Sequence, residues 1–314
     1  MKPVRFDPRE ALMRIPLQPH QLRDRMTRTE DVIVLCHLGV PRLEPSGWSL
    51  AIDGMVERPR RLRFDELARY PKLELSSVHE CCGSPFTPFE PKRRVANITW
   101  GGARLADVLA DCRPSASARY VWSRGADFGE FGGVAVDAYA KDLPIGRIEH
   151  DALIAYEMNG SPLPAEHGFP ARLVVPGFYG TNSVKWLTRM TLAESRYEGP
   201  FTARWYADPV LDDAGRETGE KTPVWSIAPE SLIVSPSPGE AIELWVEREI
   251  WGWTWADRGV RSVAVRAGGE DWRSAQVEAP RGRQWRRFSI RWTPRQRGAA
   301  VLASRAEAND GQVQ

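Results

Sequence analysis

Apolar and polar residues alternate from Trp48 to Val56, the period of a half-buried strand. Phe64-Asp65-Glu66-Leu67 predicts a short helix that stops before Pro71. Leu73 to Cys81 reads as the next strand, Leu105 to Leu109 as a helix, and Tyr120-Val121-Trp122 as another strand. Further strands are predicted at Leu153 to Tyr156 and Ala171 to Val175, the latter apolar enough to be buried on both faces. Short helices mixed with strands in no βαβ rhythm predict an α+β or complex mixed fold, not a doubly wound one.

Beyond the polar stretch Asp208 to Pro223, which reads as a linker, the pattern becomes all-β. Strands are predicted at Leu232-Ile233-Val234, Ile242 to Trp255, Val260 to Ala267 and Phe288 to Trp292, with a turn at Gly268-Gly269-Glu270-Asp271. Their number and spacing suggest an immunoglobulin-like sandwich. Trp251, Trp253 and Trp255 lie two apart and share one face of a strand. They read either as a stacking platform for a sugar or base, or as sandwich core with a subunit contact; the second is the expectation. The chain thus divides into residues 1–222, led by an arm over about residues 1–30, and a C-terminal domain over residues 223–314.

Composition changes little. With 314 residues the chain can bury two cores without disulfide support. A net charge of +2, with scattered arginines, proposes no nucleic-acid partner. Cys36, Cys81, Cys82 and Cys112 are unevenly spaced, so they make neither a disulfide framework nor a paired CxxC zinc site. The opening MKPVRFDPREALMRIPLQ shows no export leader, and no apolar run approaches ~20 residues, so no membrane span is expected. The expected location is the cytoplasm, or the periplasm if a leader has been removed. GxGxxG, GxSxG and GKT patterns are absent, which removes support for dinucleotide, α/β-hydrolase and P-loop chemistry.

Two constellations carry chemistry. His79-Glu80-Cys81-Cys82-Gly83 ends an apolar run and opens a loop rich in Pro, Phe and Arg. A thiolate at a strand tip, followed by Gly, can face a pocket while the backbone turns beneath it, and soft thiolates select transition metals. Taken alone, adjacent cysteines also fit one buried and one incidental thiol. The second constellation combines a tight Asn159-Gly160 turn, a His167-Gly168 loop, a buried strand with Arg172 near its start, and a Gly-rich loop delivering Lys185. His, Arg and Lys brought together by glycines make a cradle for a phosphorylated ligand.

The run AYEMNGSPLPAEHGFPARLVVPGFYGTNSVKWL, residues 155–187, strongly resembles the sulfite oxidase family of molybdenum enzymes. Cys81-Cys82-Gly83 matches that family's Cys-Ala-Gly; Trp100-Gly101-Gly102-Ala103-Arg104-Leu105 and Ile250-Trp251-Gly252-Trp253 match as well. The resemblance runs from about residue 25 to the end. It implies a mixed α/β molybdopterin-binding domain followed by an immunoglobulin-like dimerisation domain, and a cofactor of molybdopterin with one Mo ion. Cys81 would be the metal ligand. His37, Asp127, His167, Arg172, Ser183 and Lys185 would hold the pterin and its phosphate. Tyr206, rather than Tyr197, would be the active-site tyrosine, and Cys81, Tyr206 and Arg204 form the implied catalytic set.

The chain departs from the family where sulfite is bound. Leu35-Cys36-His37 stands for the family's Arg-Asn-His, and Ser84-Pro85-Phe86 replaces arginines that follow the ligand cysteine. A family arginine further along the C-terminal stretch has no counterpart before Gln314. Burying an uncompensated dianion costs several kcal/mol or more. Arg93, Arg94 and Arg204 are candidates to supply that charge, while Pro85, Phe86 and Phe89 would suit a neutral sulfur compound. The implied activity is oxygen-atom transfer to sulfite or a related small sulfur compound. Electrons would pass to an external acceptor such as a c-type cytochrome, since no haem segment is fused to these residues. Two alternatives stay open: an S-oxide reductase on the same scaffold, or a molybdopterin-binding protein without turnover. A zinc site from Cys36, His37, His79 and Cys81 is a remote third.

Overall fold

The computed structural model describes residues 4–6, 12–14, 16–85 and 90–314. Strands dominate, and the helices are few and short. The chain forms two compact units, each drawn from separate stretches: residues 1–15, 33–75 and 99–225 in the first, and 16–32, 76–98 and 226–314 in the second.

In the first unit a five-stranded sheet runs in the order Ala140–Pro144, Tyr120–Gly125, Leu187–Ala193, Ser49–Gly54, Arg60–Arg63. Leu187–Ala193 lies parallel to Ser49–Gly54 and antiparallel to Tyr120–Gly125. The alternation after Trp48 follows from this placement, because Leu50 and Ile52 point into the core and are fully buried. A second sheet centres on Leu153–Met158, which pairs with residues 100–104 on one side and with Arg172–Val174 on the other. Leu153, Ile154, Leu173 and Val174 are all buried, which explains the unbroken apolar runs. Helix Leu105–Ala110 buries Leu105, Val108 and Leu109, the i, i+3, i+4 stripe of one helical face. Helix Phe64–Leu67 starts where the Glu66 carboxylate accepts the Arg63 backbone N–H at 2.8 Å.

Two sequence expectations need correction. The stretch Asp208 to Pro223 is not a structureless linker but an antiparallel hairpin of Ala207–Leu211 and Glu217–Pro223. Asp212 closes it by accepting the N–H groups of Ala214 and Arg216, each at 2.9 Å. Nearly every residue of the hairpin is exposed, so no apolar period marks it. The strand expected from Ile242 begins only at Arg248, because Trp245 takes a left-handed conformation (φ 64°) that breaks the extended run.

The second unit is a two-layer sandwich. Glu230–Ser235, Arg248–Trp255, Arg286–Trp292 and Gln276–Val277 make one sheet; Arg273–Ser274, Val260–Ala267 and Leu302–Ala308 make the other. Ile250, Phe288 and Ile290 of one layer pack on Val263, Val265 and Ala306 of the other. Trp253 and Trp255 are buried, and Trp253 stacks on Trp285 with centroids 5.1 Å apart. The tryptophan stripe is therefore packing and not a ligand platform. Part of the expected N-terminal arm is fixed in this unit: Leu22 and Val32 are buried, and the Leu22 carbonyl accepts the Trp253 indole N–H at 2.6 Å. Residues 1–3, 7–11 and 15 of that arm lie outside the described residues.

Gly252 sits where a β-carbon would overlap the Leu232 carbonyl and approach the Phe288 ring to 2.8 Å. Gly252→Ala is expected to lower the unfolding free energy by about 1–3 kcal/mol, the usual cost of overpacking. Gly47→Ala, with nothing near the new methyl group, is the near-neutral control. Urea unfolding of the two variants measures the difference.

Candidate functional site

The thiol corner belongs to the second unit. Strand Lys72–Glu80 ends one residue before Cys81, whose N–H donates to the Arg94 carbonyl at 3.0 Å. The chain then turns through Cys82 and Gly83. A β-carbon on Gly83 would stand 3.3 Å from Arg94 Nη1 and 4.0 Å from Cys81 Sγ, so glycine leaves the guanidinium its place over the sulfur. Arg94 Nη1 donates to Cys81 Sγ at 3.8 Å. The Cys81 thiol is pulled down to about 6, first by its hydrogen bond with Cys82 and further by the Gly83 N–H and the Arg94 charge, while burial opposes them. At neutral pH Cys81 is a thiolate. Behind it, buried Glu80 accepts the Trp255 indole N–H at 2.7 Å; burial and nearby Glu230 push its carboxyl well up. Arg93 pairs with Glu230 at 2.9 Å. Of the two adjacent arginines, only Arg94 faces the sulfur.

The basic constellation lies in the first unit. Lys185 is half-buried and donates to the Glu166 carbonyl at 2.8 Å, to Cys36 Sγ at 2.9 Å and to the Leu35 carbonyl at 3.0 Å. Burial lowers its pKa, and the Cys36 sulfur works against that. Gly168 (φ 109°) closes the His167 loop, and a β-carbon there would come within 3.1 Å of both Arg172 and Lys185 side chains. Arg172, buried, donates to the His167 carbonyl at 3.0 Å and the Ser183 carbonyl at 2.9 Å, bracing the two loops. Ser183 Oγ accepts the Val175 N–H at 3.1 Å.

Burial and the charges of Arg172 and Lys185 push His167 down to about 3, so its imidazole is neutral. His37 is likewise pushed to about 3, by burial and then by Lys185. Its Nε2 shares a hydrogen bond with the Tyr206 hydroxyl. Phe131, Tyr139 and Phe201 pack round the His37 ring. Burial raises Asp127 to about 7 against the pull of Lys185. Arg204 is exposed, with its guanidinium 5.8 Å from the Trp205 ring centroid. The first unit therefore gathers His37, Asp127, His167, Arg172, Ser183, Lys185 and Tyr206, and leaves Arg204 at its surface. Phe86 and Phe89, expected beside the sulfur, lie outside the described residues.

Two observations test these groups against a phosphorylated pterin bearing a metal. His167 Nε2 and Asp127 Oδ1 are buried without a hydrogen-bond partner, a state that costs about 1–3 kcal/mol per group and that a polar ligand relieves. Among the described residues no three His, Cys, Asp or Glu side chains converge on one point. A single thiolate with an organic holder needs no such cluster. The donor set fits. Sequence reasoning missed Cys36 as the sulfur against Lys185, although it adjoins His37. It also missed Lys141, buried in strand Ala140–Pro144, where it stands between Ala140 and Asp142.

In the cofactor-free protein the thiolate fraction of Cys81 rises through about pH 6. Its alkylation by iodoacetamide is expected to show that midpoint, moved upward in Arg94→Gln, as read by mass spectrometry of the peptide. Because Asp127 is raised, the folded state keeps a proton that the unfolded chain releases near pH 4. The stability this contributes is full below that pH and is lost as pH rises towards 7. Asp127→Asn, which stays neutral, is expected to exceed the parent's unfolding free energy by at least ~1 kcal/mol at pH 8 and to match it at pH 4.

Residues 37–201 match the model of the oxidoreductase molybdopterin binding domain. The chain is 32% identical to sulfite oxidase of Gallus gallus over 278 residues, covering 79% of this chain and 59% of that protein. It is 30% identical to mitochondrial sulfite oxidase of Homo sapiens, covering 87% of this chain and 53% of the other. It thus spans little more than half the length of these curated relatives. The solved structure of the sulfane dehydrogenase SoxCD from Paracoccus pantotrophus superposes with a TM-score of 0.81 at 27% identity, covering 94% of this chain and 76% of that one. With over half of its length in that domain, the chain belongs to the molybdopterin-binding oxidoreductases of the sulfite oxidase family.

Proposed function

We propose that this protein oxidises sulfite or a related small sulfur compound by oxygen-atom transfer and passes the electrons to a separate acceptor, such as a c-type cytochrome. The carrying observation is the Cys81 sulfur at the strand tip, with Arg94 Nη1 donating to it at 3.8 Å and the Cys82, Gly83 and Arg94 contacts all favouring its thiolate. In this reading Cys81 is the protein's ligand to the metal. His37, Asp127, His167, Arg172, Ser183 and Lys185 hold the pterin and its phosphate. Molybdopterin with one Mo ion supplies the oxygen-atom transfer and the storage of two electrons. The chain's own part is ligation, orientation and proton placement. Tyr206 offers its hydroxyl proton, with neutral His37 as the acceptor that fixes its direction. Arg204, which makes no ion pair among those described, and Arg94, which faces the Cys81 sulfur, are the cations available to an anionic substrate.

The pairing of Arg93 with Glu230 favours a less charged substrate than free sulfite, because that cation is already neutralised. A sulfane sulfur, as in the name of the solved relative, fits this condition. The same condition keeps an S-oxide reductase open as the second reading. We further propose an immunoglobulin-type topology for the C-terminal sandwich and a homodimer formed through it. Among the described residues no helix is long and apolar enough to cross a membrane.

Purified protein is expected to carry pterin and molybdenum in equal amounts and to reduce ferricyanide or cytochrome c when given sulfite or a sulfane compound. Cys81→Ser should keep pterin but lose turnover; near-normal turnover would reject the ligand role. Tyr206→Phe is expected to lower turnover about 10²-fold at unchanged pterin content. Turnover of methionine sulfoxide with reductant, but of no reduced sulfur compound, would select the second reading. Metal and pterin without any turnover would leave a binding protein.

A further inference from the structure

Lys141 is among the largest fully buried side chains, an unusual place for an ammonium group. It comes from strand Ala140–Pro144, opposite Ser123, and its Nζ donates to the Phe201 carbonyl at 3.0 Å. The same Nζ stands 5.2 Å from the centre of the Tyr206 ring. Phe201 stacks on Tyr206 and also packs on His37, so one residue anchors the lysine and flanks both members of the hydrogen-bonded pair. A cation over a phenol face is attracted by the ring, and the attraction grows when the site is dry. It grows further when the ring becomes a phenolate, because two opposite charges then face each other away from water.

We propose that Lys141 is a positioning residue for Tyr206: its ammonium, fixed on the Phe201 carbonyl, holds the phenol in register with His37 and favours the phenolate. The inference rests on the reading of Tyr206 as the proton-placing residue, and nothing in the sequence resemblance assigns Lys141. Other charges face the same neighbourhood. Lys185 acts on His37, Arg204 and Asp208 flank Tyr206 in sequence, and Lys221 donates to the Ala203 carbonyl at 3.4 Å. Asp142, next to Lys141, is engaged by Arg196 at 2.7 Å, so its charge is already neutralised.

The test uses the cofactor-free chain and needs no turnover. Tyrosinate absorbance is titrated in wild type and in Tyr206→Phe, and the difference isolates the Tyr206 step. Lys141→Gln, which keeps a donor for the Phe201 carbonyl, is expected to move that step upward by at least about one pH unit, a tenfold change in proton affinity. Lys141→Arg, which keeps the charge, is expected to leave it at or below the wild-type position. A step unmoved in Lys141→Gln, or raised equally in both variants, would overturn the proposal. If Lys141→Gln does not fold, a raised step in Lys141→Arg alone is enough to reject it. In the loaded enzyme the basic limb of the pH profile should follow the same order. Failure of wild-type turnover would sink the proposed function and leave the titration result standing.

Discussion

An ammonium ion withdrawn from water must be surrounded by acceptors, and around Lys185 that demand fixes the first unit's chemistry. Two carbonyls and one sulfur, from Leu35, Glu166 and Cys36, meet its nitrogen. The acceptors come from two functional segments: Leu35 and Cys36 from the stretch that carries His37, and Glu166 from the loop that carries His167. Removing a charge from solvent costs several kcal/mol unless such partners are present. The lysine therefore acts as a tie between segments before it meets any ligand. Arg172 repeats the device, joining the His167 and Ser183 loops through their carbonyls. Burial first keeps both histidines neutral; the Lys185 charge adds to it at each, and Arg172 adds to it at His167.

The second unit solves the opposite problem, keeping a sulfur anionic. Cys81 has one guanidinium, one neighbouring thiol and one backbone N–H to stabilise its charge, and they outweigh its burial. The carboxyl behind it pays the cost: Glu80, near Glu230 and shut from water, is driven towards its neutral form. Charge is thus concentrated on sulfur and withdrawn from the adjacent oxygen acid.

Much of this was legible in the chain, for physical reasons that differ from place to place. Val260–Ala267 was read to the residue because one face is core and the other is wet, so its pattern has a clean period. The hairpin of Ala207–Leu211 and Glu217–Pro223 was not, since both its faces are solvated and period two vanishes. The start of Arg248–Trp255 was misplaced because Trp245 looks like a strand residue while its backbone is left-handed. Among candidate site residues, His167, Arg172 and Lys185 stood in a motif whose glycines advertise close backbone approach, while His37 came only from the family resemblance. Lys141 stood in none. Its burial depends on a carbonyl sixty residues away and on a ring further still, and no local spacing encodes that meeting.

The segment that buries Leu22 also sets an order of events during synthesis. Its indole partner, Trp253, is separated from it by 231 residues, so the ribosome releases one long before the other exists. Until then Leu22, Val32 and the backbone groups around Arg25 have no finished surface to occupy. The nascent chain must therefore carry them without that partner through most of translation.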